Sequence, residues 1–212
     1  MEQLKNNYIV QAWLVLLLAL VFGSCLSGVN LALSPRIQEN KVNETKQKVP
    51  ELVLGADMAK AVADGQQTLD VKSHVIEVKK KNKSKYYNIF QASRDGKTLG
   101  WVAKLSGQGY ADKIEILVGF DAVMDFITGI YVLEQKETPG LGNKIADMSW
   151  RKQFIQKKTT NQLEVVKTKA KAPNEIDAIT GATISSKSVC TIINSAVNDL
   201  KQAVNSQPVV SP

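Results

Sequence analysis

Histidine is almost absent from this chain of 212 residues, and His74 is its one representative. That removes most metal chemistry and most nucleophilic triads, which usually need histidine as ligand or base. Cysteine is scarce as well. Cys25 and Cys190 lie far apart and no Cys-x-x-Cys occurs, so the chain alone builds neither a zinc knuckle nor a ferredoxin-type cluster. A disulfide between the two is not expected, and redox work by such a chain needs a bound organic cofactor. Charge is missing from one whole segment: no Asp, Glu, Lys or Arg occurs from Tyr8 to Leu33, which excludes a purely soluble chain. Internal repeats are lacking too. Aromatic residues are few, and the dense run Lys79, Lys80, Lys81, Lys83 and Lys85 has none until Tyr86. A nucleic-acid groove interleaves basic and aromatic residues. The net charge of +7, all of it after Leu33, therefore reads as a solvated basic surface, and no nucleic-acid partner is expected.

What is present divides into an anchor and a globular part. Tyr8 to Leu33 is 26 residues long. At ~1.5 Å per helical residue it crosses a hydrocarbon core of about 30 Å with some tilt. Its centre, Trp13 to Phe22, is strongly apolar, and Tyr8 and Trp13 suit one membrane interface. Gln11, Ser24, Ser27 and Asn30 suit contact with other membrane helices better than lipid on every side. A cleaved signal peptide has a shorter apolar core, and Phe22-Gly23-Ser24-Cys25 is a poor lipoprotein cleavage site, so a retained anchor fits best. The following flank carries Arg36, Lys41, Lys46 and Lys48. By the positive-inside rule alone these put the large domain in the cytoplasm.

Some 180 residues remain, enough to bury roughly 70% of their unfolded surface in one core. Ser34-Pro35 predicts a new helix start, with serine as N-cap and proline at the first helical position; Pro50 is predicted to end this stalk. Asp57 to Ala63 predicts a short helix closed by Gly65. Strands are predicted at Val75–Lys79, Tyr86–Ala92, Leu99–Leu105, Lys113–Phe120 and Phe126–Leu133. Asp95-Gly96 between the second and third is a strong hairpin signal, and short turns throughout imply an antiparallel meander. Trp150–Gln156 reads as helical and Leu163–Lys167 as a last short strand. Val189, Ile192, Ile193, Ala196, Val197, Leu200 and Val204 recur on one face of a helix from about Ser186 to Val204. Helices, then strands, then a long helix give the α+β class.

Two segments are too rich in special residues to be ordinary connections. Glu137-Thr138-Pro139-Gly140-Leu141-Gly142 directly follows a strand; its glycines and proline fix a sharp turn that a ligand can approach closely. A plain turn is the alternative. Asp177-Ala178-Ile179-Thr180-Gly181-Ala182-Thr183-Ile184-Ser185-Ser186 leads into the long helix, whose first N–H groups lack partners and attract an anion, most naturally phosphate. Here the alternative is a capped helix in which Ser185 or Thr183 bonds the first turn.

Asp177 to Thr183 resembles the flavinylation motif, Asp-x-x-(Ser/Thr)-Gly-Ala-Thr, of the FMN-binding domain family, and Glu137 to Gly142 resembles that family's second signature. The resemblance covers nearly the whole chain. It implies an FMN-binding domain with an antiparallel sheet and a long C-terminal helix over residues 68–206. Before it come an N-terminal flank at 1–7, a transmembrane anchor at 8–33, and a stalk with short helices at 34–67; a loose tail occupies 207–212. It implies FMN joined through its phosphate to Thr183 by a flavin transferase. Thr180, Gly181, Ala182 and Ser185 then lie around the phosphate, and Glu137, Thr138, Gly140, Leu141 and Gly142 lie beside the flavin. Asp177, repelled by phosphate when ionised, is assigned to ordering the turn or to recognition by the transferase. No residue is assigned a catalytic or metal-ligating role.

Two branches of the family are similar in layout: the G subunit of the Rnf complex, a ferredoxin:NAD⁺ oxidoreductase that moves Na⁺ or H⁺, and the C subunit of the sodium-pumping NADH:quinone reductase. The compact length and Lys113 to Phe120 look more like the former. The other membrane and peripheral subunits of that complex are then the partners, and the domain lies outside the cytoplasmic membrane, against the flank charges. A flavin-free, membrane-anchored scaffold is the reading of another class.

Overall fold

The structure is a computed structural model that describes residues 8–65, 68–80 and 83–206. The side chains of Lys80, Lys83 and residues 204–206 lie outside the described set, and so do the flank 1–7, the tail 207–212 and part of the lysine run. The chain divides into two compact units, Met1–Glu44 and Thr45–Pro212.

Helix α1 runs unbroken from Tyr8 to Leu54. Its apolar stretch has a mean hydropathy of 2.4 with none of it buried, and it is long and apolar enough to cross a membrane. The two predicted boundaries inside it are corrected. Pro35 removes one backbone donor, and Ser34, rather than capping a new helix, donates its hydroxyl to the Asn30 carbonyl at 2.7 Å. Pro50 does not stop the helix either. Val49 and Leu52 on either side of it are buried against the sheet, and that packing outweighs the lost hydrogen bond. The stop is Gly55, with φ of +85° and its N–H on the Glu51 carbonyl at 3.0 Å. Helix α2, Ala56–Ala63, follows as the sequence predicts.

Six strands then form one antiparallel sheet in sequence order: β1 Asp70–Lys80, β2 Lys83–Arg94, β3 Lys97–Gln108, β4 Lys113–Asp121, β5 Phe126–Glu134 and β6 Lys157–Lys158. The β2–β3 turn has positive φ at Asp95 (50°) and Gly96 (75°), as a type I′ hairpin requires. After β5 come a 3-10 turn at Gly142–Ala146, a short helix α3 at Met148–Arg151 and a second 3-10 turn at Lys152–Phe154. The predicted helix at Trp150–Gln156 is thus a single α-turn that tightens and ends. Leu163–Lys167 is not the last strand: β7 at Glu164–Val166 pairs in parallel with β8 at Glu175–Asp177. The long helix α4 spans Thr183–Ser206 and starts three residues earlier than its apolar period predicts.

The sheet is covered on both faces. Ile89, Trp101, Leu105, Ile114, Ile116, Val118 and Phe120 pack under Val189, Ile193, Ala196, Val197 and Leu200 of α4. Cys190 lies in the same layer, and burial pushes its thiol up to about 12. Tyr87 donates to the buried Asp199 at 2.8 Å; burial, then this hydrogen bond, raises the phenol's pKa. On the other face Val102 and Leu117 meet Val49 and Leu52 at the end of α1. Coverage on both faces explains why β4 is buried at nearly every position rather than at alternate ones.

Three glycines let α1 close on the sheet. A Cβ at Gly100 would stand 2.7 Å from Val53 Cγ1, one at Gly119 2.7 Å from the Leu52 carbonyl oxygen, and one at Gly129 3.2 Å from Leu52 Cδ2. Thr128 then donates its hydroxyl to that Leu52 carbonyl at 2.5 Å. Gly119→Ala is expected to lower stability by about 1–3 kcal/mol, the usual cost of overpacking. Urea unfolding of the full chain in detergent, followed by tryptophan fluorescence, checks it; an unchanged midpoint would mean that the helix end yields without cost.

Candidate functional site

The ends of three segments converge where α4 begins. The first is the turn after β3, where the Gly109 N–H meets the Asp112 carbonyl at 2.8 Å. The Lys113 N–H and the Lys136 ammonium hold the Asp112 carboxyl below its ordinary range. The second is the turn Thr138–Gly142, closed by the Leu141 N–H on the Thr138 carbonyl at 3.2 Å. The third is the Asp177–Thr183 segment.

Glu137, at the head of the second, joins the first to the helix turn that follows the third. It is 4% exposed. One carboxylate oxygen accepts the Ala111 N–H at 3.0 Å, and the other accepts a short hydrogen bond from the Ser185 hydroxyl. Gln135 Oε1 takes the Glu137 N–H at 2.7 Å. Gly142 is pressed into the same corner, and a Cβ there would stand 2.6 Å from Ser185 Oγ. Glu137 and Ser185, both read from the sequence as lying at the cofactor, are therefore engaged with each other in the wall behind it.

Asp177 is held from every side. Its N–H donates to Gln153 Oε1 at 2.7 Å, its carbonyl accepts Trp150 Nε1 at 2.8 Å, and its carboxylate accepts the Ala170 N–H. The next residues are tied too: the Ala178 N–H to the Val166 carbonyl, the Ile179 N–H to Ser186 Oγ, and the Ala182 N–H to the Ile179 carbonyl. Gly181 turns the chain with φ of +79°, and a Cβ on it would meet Leu141 Cδ2 at 2.9 Å. Helix α4 then begins, its first bond running from the Ser186 N–H to the Ala182 carbonyl at 3.1 Å. The N–H groups of Thr183, Ile184 and Ser185 have no acceptor among the described residues. Neither Thr183 nor Ser185 caps the helix with its own hydroxyl.

The three residues that carry those N–H groups line a cleft of about 520 Å³, within the range of sites for small ligands and cofactors. Thr138, Leu141, Gly142, Gly181, Ala182, Thr183 and Ser185 line it, together with Tyr110 and Ile184. Most of the sequence-predicted residues are thus brought together. Thr180 and Gly140 are exposed on the neighbouring turns and Asp177 points into the loop behind, so these three do not line the cleft. Tyr110 and Ile184 were missed. Gly107-Gln108-Gly109-Tyr110, an aromatic after two spaced glycines between strands, is the signal that could have found the first; an apolar residue exposed in the first turn of α4 marks the second.

The arrangement is an anion-binding helix end beside an apolar wall. Residues 109–198 match the model of the FMN-binding domain family. That stretch runs from the Glu137-bound turn to the middle of α4 and holds every residue of the cleft. The chain is 35% identical over 130 residues to the G subunit of the Na(+)-translocating ferredoxin:NAD(+) oxidoreductase complex of Acetobacterium woodii, covering 60% of this chain and 62% of that protein. It is 38% identical over 114 residues to the G subunit of the proton-translocating ferredoxin:NAD(+) oxidoreductase complex of Clostridium ljungdahlii, covering 52% and 58%. The chain therefore spans about three fifths of these relatives' length. A solved structure of the C subunit of the Na(+)-translocating NADH-quinone reductase from Parabacteroides distasonis superposes with a TM-score of 0.62 at 22% identity, over 82% of this chain and 98% of that one. The fold is the same.

Replacing Glu137 tests the wall of the cleft. Glu137→Ala leaves the buried Ser185 hydroxyl without its acceptor, at about 1–3 kcal/mol, and takes the acceptor from the part-buried Ala111 N–H as well. Glu137→Gln keeps one acceptor and the side-chain volume, and should recover about half of the loss. Urea midpoints of the two variants against the parent chain provide the check, and equal midpoints would show that the carboxylate ties nothing.

Proposed function

We propose that this chain is the membrane-anchored, FMN-carrying electron-transfer subunit of an ion-translocating ferredoxin:NAD⁺ oxidoreductase of the Rnf type. The observation that carries the reading is the position of the Thr183 hydroxyl. It sits on the first residue of a 24-residue helix and lines a cleft that is also lined by the residues carrying the three unpaired N–H groups. A phosphate esterified there gains those donors and the positive end of the helix dipole.

The residues present fit FMN. Gly181 and Ala182 keep the approach to Thr183 clear. Leu141 and Ile184 give the cleft apolar surface, and Thr138 and Gly142 line it too. The side chains of Glu137 and Ser185 are engaged with each other and hold the cleft's shape, so Ser185 offers the phosphate its N–H and not its hydroxyl. Thr180, exposed at the turn, is a secondary donor. Asp177 orders the segment that a flavin transferase would have to grip. Bound FMN supplies one- and two-electron transfer, and the chain supplies its place and surroundings. A phosphoester also keeps the cofactor from being lost outside the cell.

In this reading α1 anchors the chain in the cytoplasmic membrane, and the large domain stands on its extracytoplasmic side. The positive flank argues the other way, but it is a soft guide when a large domain is exported. No charged residue lies inside the anchor to offer an ion path, so the transported ion is set by the other subunits. Likeness in fold supports a second reading, the C subunit of the sodium-pumping NADH:quinone reductase. Co-purifying subunits distinguish the two.

Thr183→Val keeps size and β-branching but deletes the oxygen. With a flavin transferase co-expressed, the parent chain is expected to gain the mass of FMN less one water and to fluoresce in a denaturing gel. The variant should do neither. Covalent flavin on the variant would move the acceptor to another hydroxyl, Thr180 first. A flavin-free parent chain would favour the scaffold reading.

Sidedness has its own test. Protease added to intact spheroplasts should remove the region after Leu33. Protection until the membrane is broken would put the domain in the cytoplasm.

A further inference from the structure

Tyr110 is 63% exposed, in a turn that is otherwise fixed. Its neighbours leave the backbone little freedom. The Gly109 N–H is bonded to the Asp112 carbonyl at 2.8 Å, and the Ala111 N–H to Glu137 at 3.0 Å. A Cβ on Gly109 would stand 2.6 Å from the Asp112 carbonyl oxygen, so the turn admits no other residue there without moving. The carboxylate that holds Ala111 also holds Ser185 in the first turn of α4. Tyr110 is thus fixed relative to Thr183 through a single buried side chain.

Nothing in the fold uses the tyrosine. Its ring has no aromatic or cation partner and its hydroxyl no hydrogen bond among the described residues. It lines the same cleft as Thr183 and is the one aromatic residue among the described residues that line it; the other large apolar groups there are Leu141 and Ile184. An unengaged aromatic ring on a fixed stretch of backbone, beside an anion-binding helix end, suits a ligand with a phosphate at one end and a flat aromatic system at the other. Offset stacking of such rings is worth about 0.5–1.5 kcal/mol beyond the area buried.

We infer that Tyr110 is the positioning residue on which the isoalloxazine ring lies when the phosphate is joined to Thr183. This rests on the flavin reading above. Attachment at Thr183 fixes only the phosphate, and the ribityl chain leaves the ring free to swing. Contact with Tyr110 selects one ring position. It sets the face of the flavin that stays covered and the edge that meets an electron partner.

A phenol in contact with an excited flavin quenches its fluorescence by donating an electron, so the test is optical. The full chain in detergent, with FMN attached by co-expression of a flavin transferase, should fluoresce weakly when folded and brighten on denaturation. Tyr110→Leu should carry the same added mass but shine severalfold more brightly in the folded state. Tyr110→Trp restores an oxidisable ring and should return the signal to the dim level of the parent. Tyr86→Leu, at an equally exposed tyrosine that does not line the cleft, should leave brightness unchanged. Circular dichroism confirms that each variant is folded. Equal brightness of the parent and Tyr110→Leu, with the FMN mass present in both, would overturn the inference and leave the flavin reading standing. Absence of the FMN mass from the parent would overturn both.

Discussion

A single carboxylate holds the candidate site together. Glu137 is buried and accepts from the turn after β3 on one oxygen and from the first turn of α4 on the other. A buried carboxylate without donors is among the costliest defects a protein can carry, whereas hydrogen bonds to a charged group are worth about 1.5–3 kcal/mol each. The same residue therefore punishes separation of the three segments and rewards their union. Its lack of freedom passes to its neighbours. Gly109 and Gly142 have no space for a side chain because Glu137 and Ser185 occupy it, and Tyr110 has a fixed backbone because Ala111 is bound.

Behind this corner the fold supplies stiffness. The five long strands pair in sequence order, so each strand is set by its sequence neighbour. The two layers that cover the sheet come from opposite ends of the second unit: residues 45–54 on one face, α4 on the other. Where α4 starts, no side chain caps it. That is unusual for a helix of this length, since Ser, Thr, Asp or Asn at the cap would satisfy its first donors. Ala182 occupies that position, Ser185 is turned to Glu137, and Ser186 bonds back to the Ala182 carbonyl at 3.0 Å. The hydroxyls of the motif are arranged so that the helix end stays open.

Much of this was legible in the sequence. Alternating β-branched residues and Asp95-Gly96 give the meander, and a strict 3.6-residue period gives α4, because both signals are local. The segments around Gly140 and Gly181 stand out for the same reason: positive φ leaves a mark in residue type. What could not be read depends on partners distant in the chain. Pro50 looks like a stop until Val49 and Leu52 are seen buried against Phe90, Ala92, Val102 and Leu117, on strands much later in the chain. β8 is only three residues long and exists through its parallel pairing with β7. Ser185 looks like a ligand donor until its hydroxyl is seen donating to Glu137, 48 residues before it. Tyr110, in an ordinary-looking turn, gains its meaning only from what stands opposite.

The covering of the sheet from both ends has a consequence for how the molecule is made. Contacts within the meander are close in sequence and form early, but contacts of high sequence separation close late. Tyr87 must wait for Asp199, 112 residues on. Until the last 24 residues of the described chain have emerged, the broad apolar face above Ile89, Ile116 and Phe120 has no lid. During synthesis the nascent domain is therefore a half-clad sheet, at its most adhesive just before completion. Thr183 is already displayed in that unfinished chain, whereas the cleft around it exists only once α4 has docked.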